Sequence, residues 1–121
     1  MSQWHCVYLQ LKARMAGVVE AVLPEYGVMI SCQGSLIQGL WGNDGMDEGV
    51  LNVIEASFKK PLEGSMLDKL ERGQVLAAGT CLQADVLAAI KQKDPAGLIL
   101  ESFPPELISV AKDMPWPVIV L

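Results

Sequence analysis

Residues 75–121 read VLAAGTCLQADVLAAIKQKDPAGLILESFPPELISVAKDMPWPVIVL, and the reading of this stretch decides the fold. It holds three short apolar runs, at 75–78, 97–100 and 118–121, with a longer amphipathic segment between each pair. The first such segment, 82–93, places Leu82, Val86, Ala89 and Ile90 on one stripe near the helical period. Thr80 and Gln83 stand at capping-box spacing at its start, and Lys91 and Lys93 suit the negative pole of a helix dipole. Asp94-Pro95 ends it, because a residue before proline avoids helical geometry. The second segment, 106–113, follows Pro104-Pro105, tolerated at a helix's first turn, and puts Leu107, Ile108 and Ala111 on the core side. Pro115-Trp116-Pro117 stops it. Unbroken apolar strands alternating with helices predict a parallel sheet buried on its faces, with right-handed crossovers.

Working back from there, residues 65–71 (SMLDKLE) predict a short helical turn, with Ser65 and Asp68 imitating a capping box. Residues 50–54 (VLNVI) predict a strand, and 41–49 (WGNDGMDEG) a polar, glycine-rich loop. Residues 35–39 predict another short strand after a bend at Gly34. The runs 17–23 and 26–32, joined at Pro24-Glu25, predict a hairpin, and residues 6–10 a first strand. The expectation is a mixed α/β fold in a single domain over 1–121. Its antiparallel β-rich half, 1–64, packs on a βαβαβ half, 65–121. Because the chain stops on an apolar strand with no polar tail, it is also expected to be a piece of a longer protein.

Composition narrows the function classes. Half of the 121 residues are hydrophobic and 19% are charged, enough for a packed core and too few charges for a disordered segment. The net charge of −5 and the lack of a basic stripe argue against a nucleic-acid partner. The longest apolar runs fall far short of the roughly 20 residues a membrane span needs. With no signal-like N-terminus, the expected setting is the cytoplasm. Cys6, Cys32 and Cys81 are widely spaced and read as small buried hydrophobes, and one histidine cannot complete a zinc set, so no metal or cofactor is expected.

Two places remain as candidate sites. One is the stretch holding Gln38, Trp41, Asn43 and Asp44, where a tryptophan among glycines and acidic groups serves either as an interface anchor or as a half-buried core residue. The other is the carboxyl edge of the parallel strands, with Gly79, Thr80, Glu101 and Ser102. Open parallel sheets bind ligands there, and Thr80 and Ser102 are also the expected helix N-caps. Neither place contains a GxGxxG or P-loop sequence, and His5 lies far in sequence from both, so no nucleophile–base pair is assigned.

Residues 67–121 resemble the swivelling β/β/α domain that carries the phosphohistidine in phosphoenolpyruvate-utilising enzymes. The order of LDKLERGQVLAAGTCL, a helix, AGLILE, a helix and PWPVIVL carries the likeness. Those enzymes hold their histidine in a T-S-H-A stretch, whereas Glu101-Ser102-Phe103-Pro104-Pro105-Glu106 has none, so the resemblance implies the architecture without the phosphotransfer. Residues 34–43 (GSLIQGLWGN) also resemble a GALIQGxWGNG stretch of uncharacterised bacterial proteins, which implies no activity.

The sequence therefore predicts a non-catalytic module that binds a partner, another domain of the same chain or a second copy of itself. The competing expectation is a ligand-binding or catalytic module whose site at the strand ends is completed by further sequence.

Overall fold

A computed structural model describes residues 11–121, which fall into two compact units with the sequence boundary between Leu36 and Ile37. The strand expected at 6–10, with His5 and Cys6, lies outside the described residues.

The first unit is the expected hairpin. Strand β1 (Val18–Leu23) pairs antiparallel with β2 (Gly27–Ser31), with a register shift between Val19 and Ala21. The Tyr26 N–H donates to the Leu23 carbonyl at 3.0 Å, which closes a turn in which Pro24 presets φ and Glu25 takes φ 69°. Ser31 Oγ donates to Glu20 Oε1 across the pair at 2.6 Å.

The second unit holds a five-stranded sheet in the order β3-β7-β6-β5-β4. Its strands are β3 (Trp41–Gly42), β4 (Leu51–Ile54), β5 (Val75–Thr80), β6 (Gly97–Ser102) and β7 (Val118–Val120). Neighbours among β4, β5, β6 and β7 are parallel, and β3 runs antiparallel to β7. A 3-10 segment (Gly64–Lys69) links β4 to β5, helix α1 (Ala84–Lys93) links β5 to β6, and a 3-10 turn (Pro105–Leu107) leading into α2 (Ile108–Lys112) links β6 to β7. The α/β class and the alternation predicted over 75–121 both stand. The expected divide at residue 64 does not coincide with the structural one, because residues 41–54 supply both edge strands of the second unit's sheet.

Successive strands step across this sheet in one direction, so connections of one hand collect on one face. The core confirms it. Leu76, Leu98, Leu100 and Val118 from the strands pack with Leu62 and Leu67 from the first connection, Leu87 and Ile90 from α1, and Leu107 and Ala111 from the last. All of these are buried. Asn52, on the core side of edge strand β4, donates to the Lys69 carbonyl at 3.1 Å and to Gln74 Oε1 at 3.0 Å, tying the 3-10 segment to the sheet.

Several local expectations are corrected. Residues 35–39 form no strand. Helix α1 starts after Gln83, and neither it nor the 3-10 segment at 64–69 has a side-chain cap, so the boxes Thr80/Gln83 and Ser65/Asp68 do not form. Thr80 and Ser102 are the last residues of β5 and β6, not N-caps. Asp94 stops α1 by entering the left-handed region at φ 51°.

Candidate functional site

Residues alternate in direction along a strand, so the registers sort the sheet into two faces. Asn52, Leu76, Leu98 and Val118 lie in one row on the helix-covered face. The next row, Val53, Ala77, Ile99 and Ile119, looks the other way, with Leu51 and Val75 below it. None of these six belongs to the buried core. Leu51 is 55% exposed and Val53 65%, values usual for a polar surface but found here on alkyl side chains. This second face is apolar and carries none of the unit's helices.

Two hollows lie on it. The larger, of about 930 Å³, has Val53, Ala77 and Ile99 in its floor, with Ile37 and Leu121 also lining it. Its polar groups are Glu55, Ser57, Lys60 and Glu101, from the segments that follow β4 and end β6. The segment after β4 turns back on itself, with the Ser57 N–H donating to the Lys60 carbonyl at 2.9 Å and the Lys60 N–H to Ser57 Oγ at 3.2 Å. A side-chain carbon added at Gly79 would strike the Ala56 carbonyl oxygen, so β5 meets that turn through a glycine. The smaller hollow, of about 280 Å³, lies nearer the strands' amino ends, where Met46, Val75, Pro117 and Ile119 line it.

The structure separates the residues predicted at the strand ends. Gly79 and Glu101 line the larger hollow. Thr80 and Ser102 belong to the opposite face, where their hydroxyls bond each other at 3.1 Å. Thr80 is buried, and its carbonyl accepts from Leu62 N–H at 2.7 Å. One ligand on the open face therefore meets half of the predicted set.

The loop residues have structural work. Asn43 Nδ2 donates to the carbonyls of Ala111 (3.1 Å) and Trp116 (3.0 Å), and its Oδ1 accepts from the N–H groups of Val118 (2.9 Å) and Gly45 (3.3 Å). Its side chain is saturated, clamping the segment between α2 and β7. Trp41 is half-buried against the core, its ring 5.8 Å from that of Phe103 at a 50° tilt. Gln38 and Asp44 are exposed, Asp44 with φ 61°. From Asn43 the chain crosses from the β3 edge of the sheet to the β4 edge. On the way Gly45 lies against Pro117, at a distance where an added Cβ would sit 2.8 Å from its Cα, and Gly49 lies against Gly73 and Ala96. The predicted binding loop is thus a strap across the amino ends of the parallel strands, and its glycines permit close approach of backbone to backbone.

The open face escaped the sequence reading for a definable reason. Runs such as Val75-Leu76-Ala77-Ala78 are apolar at every position, which fits a strand covered on both sides. The detectable signal was in β4, where polar Asn52 sits between Leu51 and Val53 on an edge strand.

Cys81 is buried, and its Sγ donates to the Gln83 carbonyl at 3.6 Å. Burial pushes the thiol's pKa up, the Gln83 backbone opposes this, and nearby Asp85 adds to it. Cys32 is exposed. With Cys6→Ser as background, native protein at pH 8 should release one thiol equivalent at once, from Cys32, and a second only in denaturant. Two equally fast equivalents would contradict the burial of Cys81. Because the folded pKa is raised, the stability contributed by the neutral thiol is complete below the ordinary thiol pKa. It is lost as pH rises through the folded value.

Among the described residues no group of three or more His, Cys, Asp or Glu side chains is placed to hold a metal ion, and no helix is long and apolar enough to cross a membrane. Comparison of the chain with family models, with curated proteins and with solved structures finds no match.

Proposed function

We propose that this protein is a non-catalytic docking module whose partner covers the helix-free face of the five-stranded sheet, with the cytoplasm as its setting. The single observation that supports the reading is the row Val53, Ala77, Ile99 and Ile119 on a sheet whose four parallel strands carry helices on one side only. Parallel sheets are almost always covered on both faces, and contiguous exposed apolar surface marks an interaction site. The resemblance to phosphohistidine domains adds no reaction, since residues 101–106 lack the histidine and Phe103 there is packed against Trp41.

A photo-crosslinking amino acid at Val53, in the producing cell, should give a discrete adduct that the same group at Ser109, an exposed residue of α2, does not. Leu51→Lys should abolish the adduct and leave stability within about 0.5 kcal/mol of the parent, as surface changes do. Identical adducts from both positions, or a melting temperature lowered by many degrees in Leu51→Lys, would remove the reading.

A second reading has one observation in its favour. Glu55, Ser57, Lys60 and Glu101 gather at one end of an apolar hollow, the composition of a small-molecule pocket at the carboxyl ends of parallel strands. Docking is preferred because the apolar surface continues past this hollow to the second one, beside Val75 and Ile119.

A further inference from the structure

The docking reading leaves the partner's chemistry open, and we infer that the occupant of the open face is an amphipathic helix of about three turns, apolar on one side and cationic at its flanks. The inference rests on that reading and adds to it the shape and charge of what docks.

Shape comes from the sheet itself. The surface offered is a face, and extended peptides add to sheet edges whereas helices lie on sheet faces. The covered face of the same strands shows the size that fits. There α1, with ten residues, packs into the core through Val86, Leu87 and Ile90. Ten helical residues span about 15 Å, and a six-residue strand about 20 Å, so one helix of three turns matches the strand length.

Charge comes from the rims. Among residues lining the two hollows, the acidic ones are Glu55, Glu101 and Asp47, and the basic one is Lys60. Glu55 and Glu101 are exposed at the carboxyl end and Asp47 at the amino end. A helix lying along the strands therefore meets carboxylates at both of its ends. The whole chain, at net −5, repels acidic partners and steers basic ones. A second copy of this chain would bring a further −5 and the same acidic rims, which disfavours it as the occupant.

The test uses the full chain and three synthetic 14-residue helical peptides with one apolar stripe, flanked by lysines, by glutamines or by glutamates. The lysine-flanked peptide should bind at least tenfold more tightly than the glutamate-flanked one, weaken as salt is raised, and shift the methyl resonances of Val53 and Ile99. Glu55→Lys with Glu101→Lys should reverse the order of the two charged peptides. Equal binding of all three, with those methyls still shifting, would overturn the charge inference and leave the docking reading standing. No methyl shift with any peptide, from a protein that stays monomeric, would overturn both. A homodimer that Val53→Lys dissolves, with no peptide binding, would overturn the helix in favour of a second copy.

Discussion

Replacing Gly79 by alanine should cost about 3 kcal/mol, the upper range for overpacking, and lower the melting temperature by roughly 10 °C. The added methyl would overlap the carbonyl oxygen of Ala56. Backbone must move, and neither side is free to do so. Gly79 lies in β5, held between β4 and β6, and Ala56 packs against the core just before the turn closed by the Ser57 N–H and Lys60 carbonyl. Gly64→Ala is the control, since nothing lies within 4 Å of the carbon it adds. Calorimetry on the pair decides the matter: a Gly79→Ala melting point within two degrees of the control would show that the turn yields freely. The effect extends to the site, because the displaced segment carries Glu55 and Ser57 into the larger hollow.

Asn43→Asp should be nearly as damaging although it changes one atom's identity. The amide donates to the Ala111 and Trp116 carbonyls, and a carboxylate has nothing to donate. The Trp116 carbonyl loses its partner, the Ala111 carbonyl keeps the Met114 N–H at 3.3 Å, and both face a negative charge instead. At about 1–3 kcal/mol for each polar group left without its bond, the variant should lose about 3 kcal/mol in denaturant titration at pH 7. Asn43→Ala should lose at least as much, because it also leaves without an acceptor the Val118 N–H that a carboxylate would still bind. An aspartate variant as stable as the parent would mean that the clamp contributes nothing. The measurement also bears on function, since a residue that reads as a ligand contact in sequence would be shown to hold α2 against β7.

The two outcomes bear on what the sequence could disclose. The alternation of apolar runs and amphipathic segments over 75–121 was legible because each element matches its own period, and the hairpin was legible from Pro24-Glu25 between two β-rich runs. Caps were not legible. Thr80 has the spacing of a capping residue, but its hydroxyl pairs with Ser102 across two strands, a partner 22 positions away. Residues 41–49 misled for the same reason. A glycine, asparagine and aspartate cluster is a flexible loop by composition, and only the long-range partners of Asn43, Gly45 and Gly49 make it a strap. The open face was hidden because uniform apolarity in a strand does not say how many sides are covered.

The placement of β3 also sets an order on the protein's birth. Asn43 bonds to groups 68, 73 and 75 positions later, and Trp41 pairs with Val120. On the ribosome, residues 39–43 emerge early and wait, without these partners, until residues 111–120 have been made. Strands β4, β5 and β6 can assemble while synthesis continues, each next to the one before it. The edge formed by β3 cannot, and it closes last. Distant pairings are slow to form and leave apolar segments exposed meanwhile, which makes the interval before Val120 emerges the moment at which a nascent chain is most open to a chaperone or to misassembly.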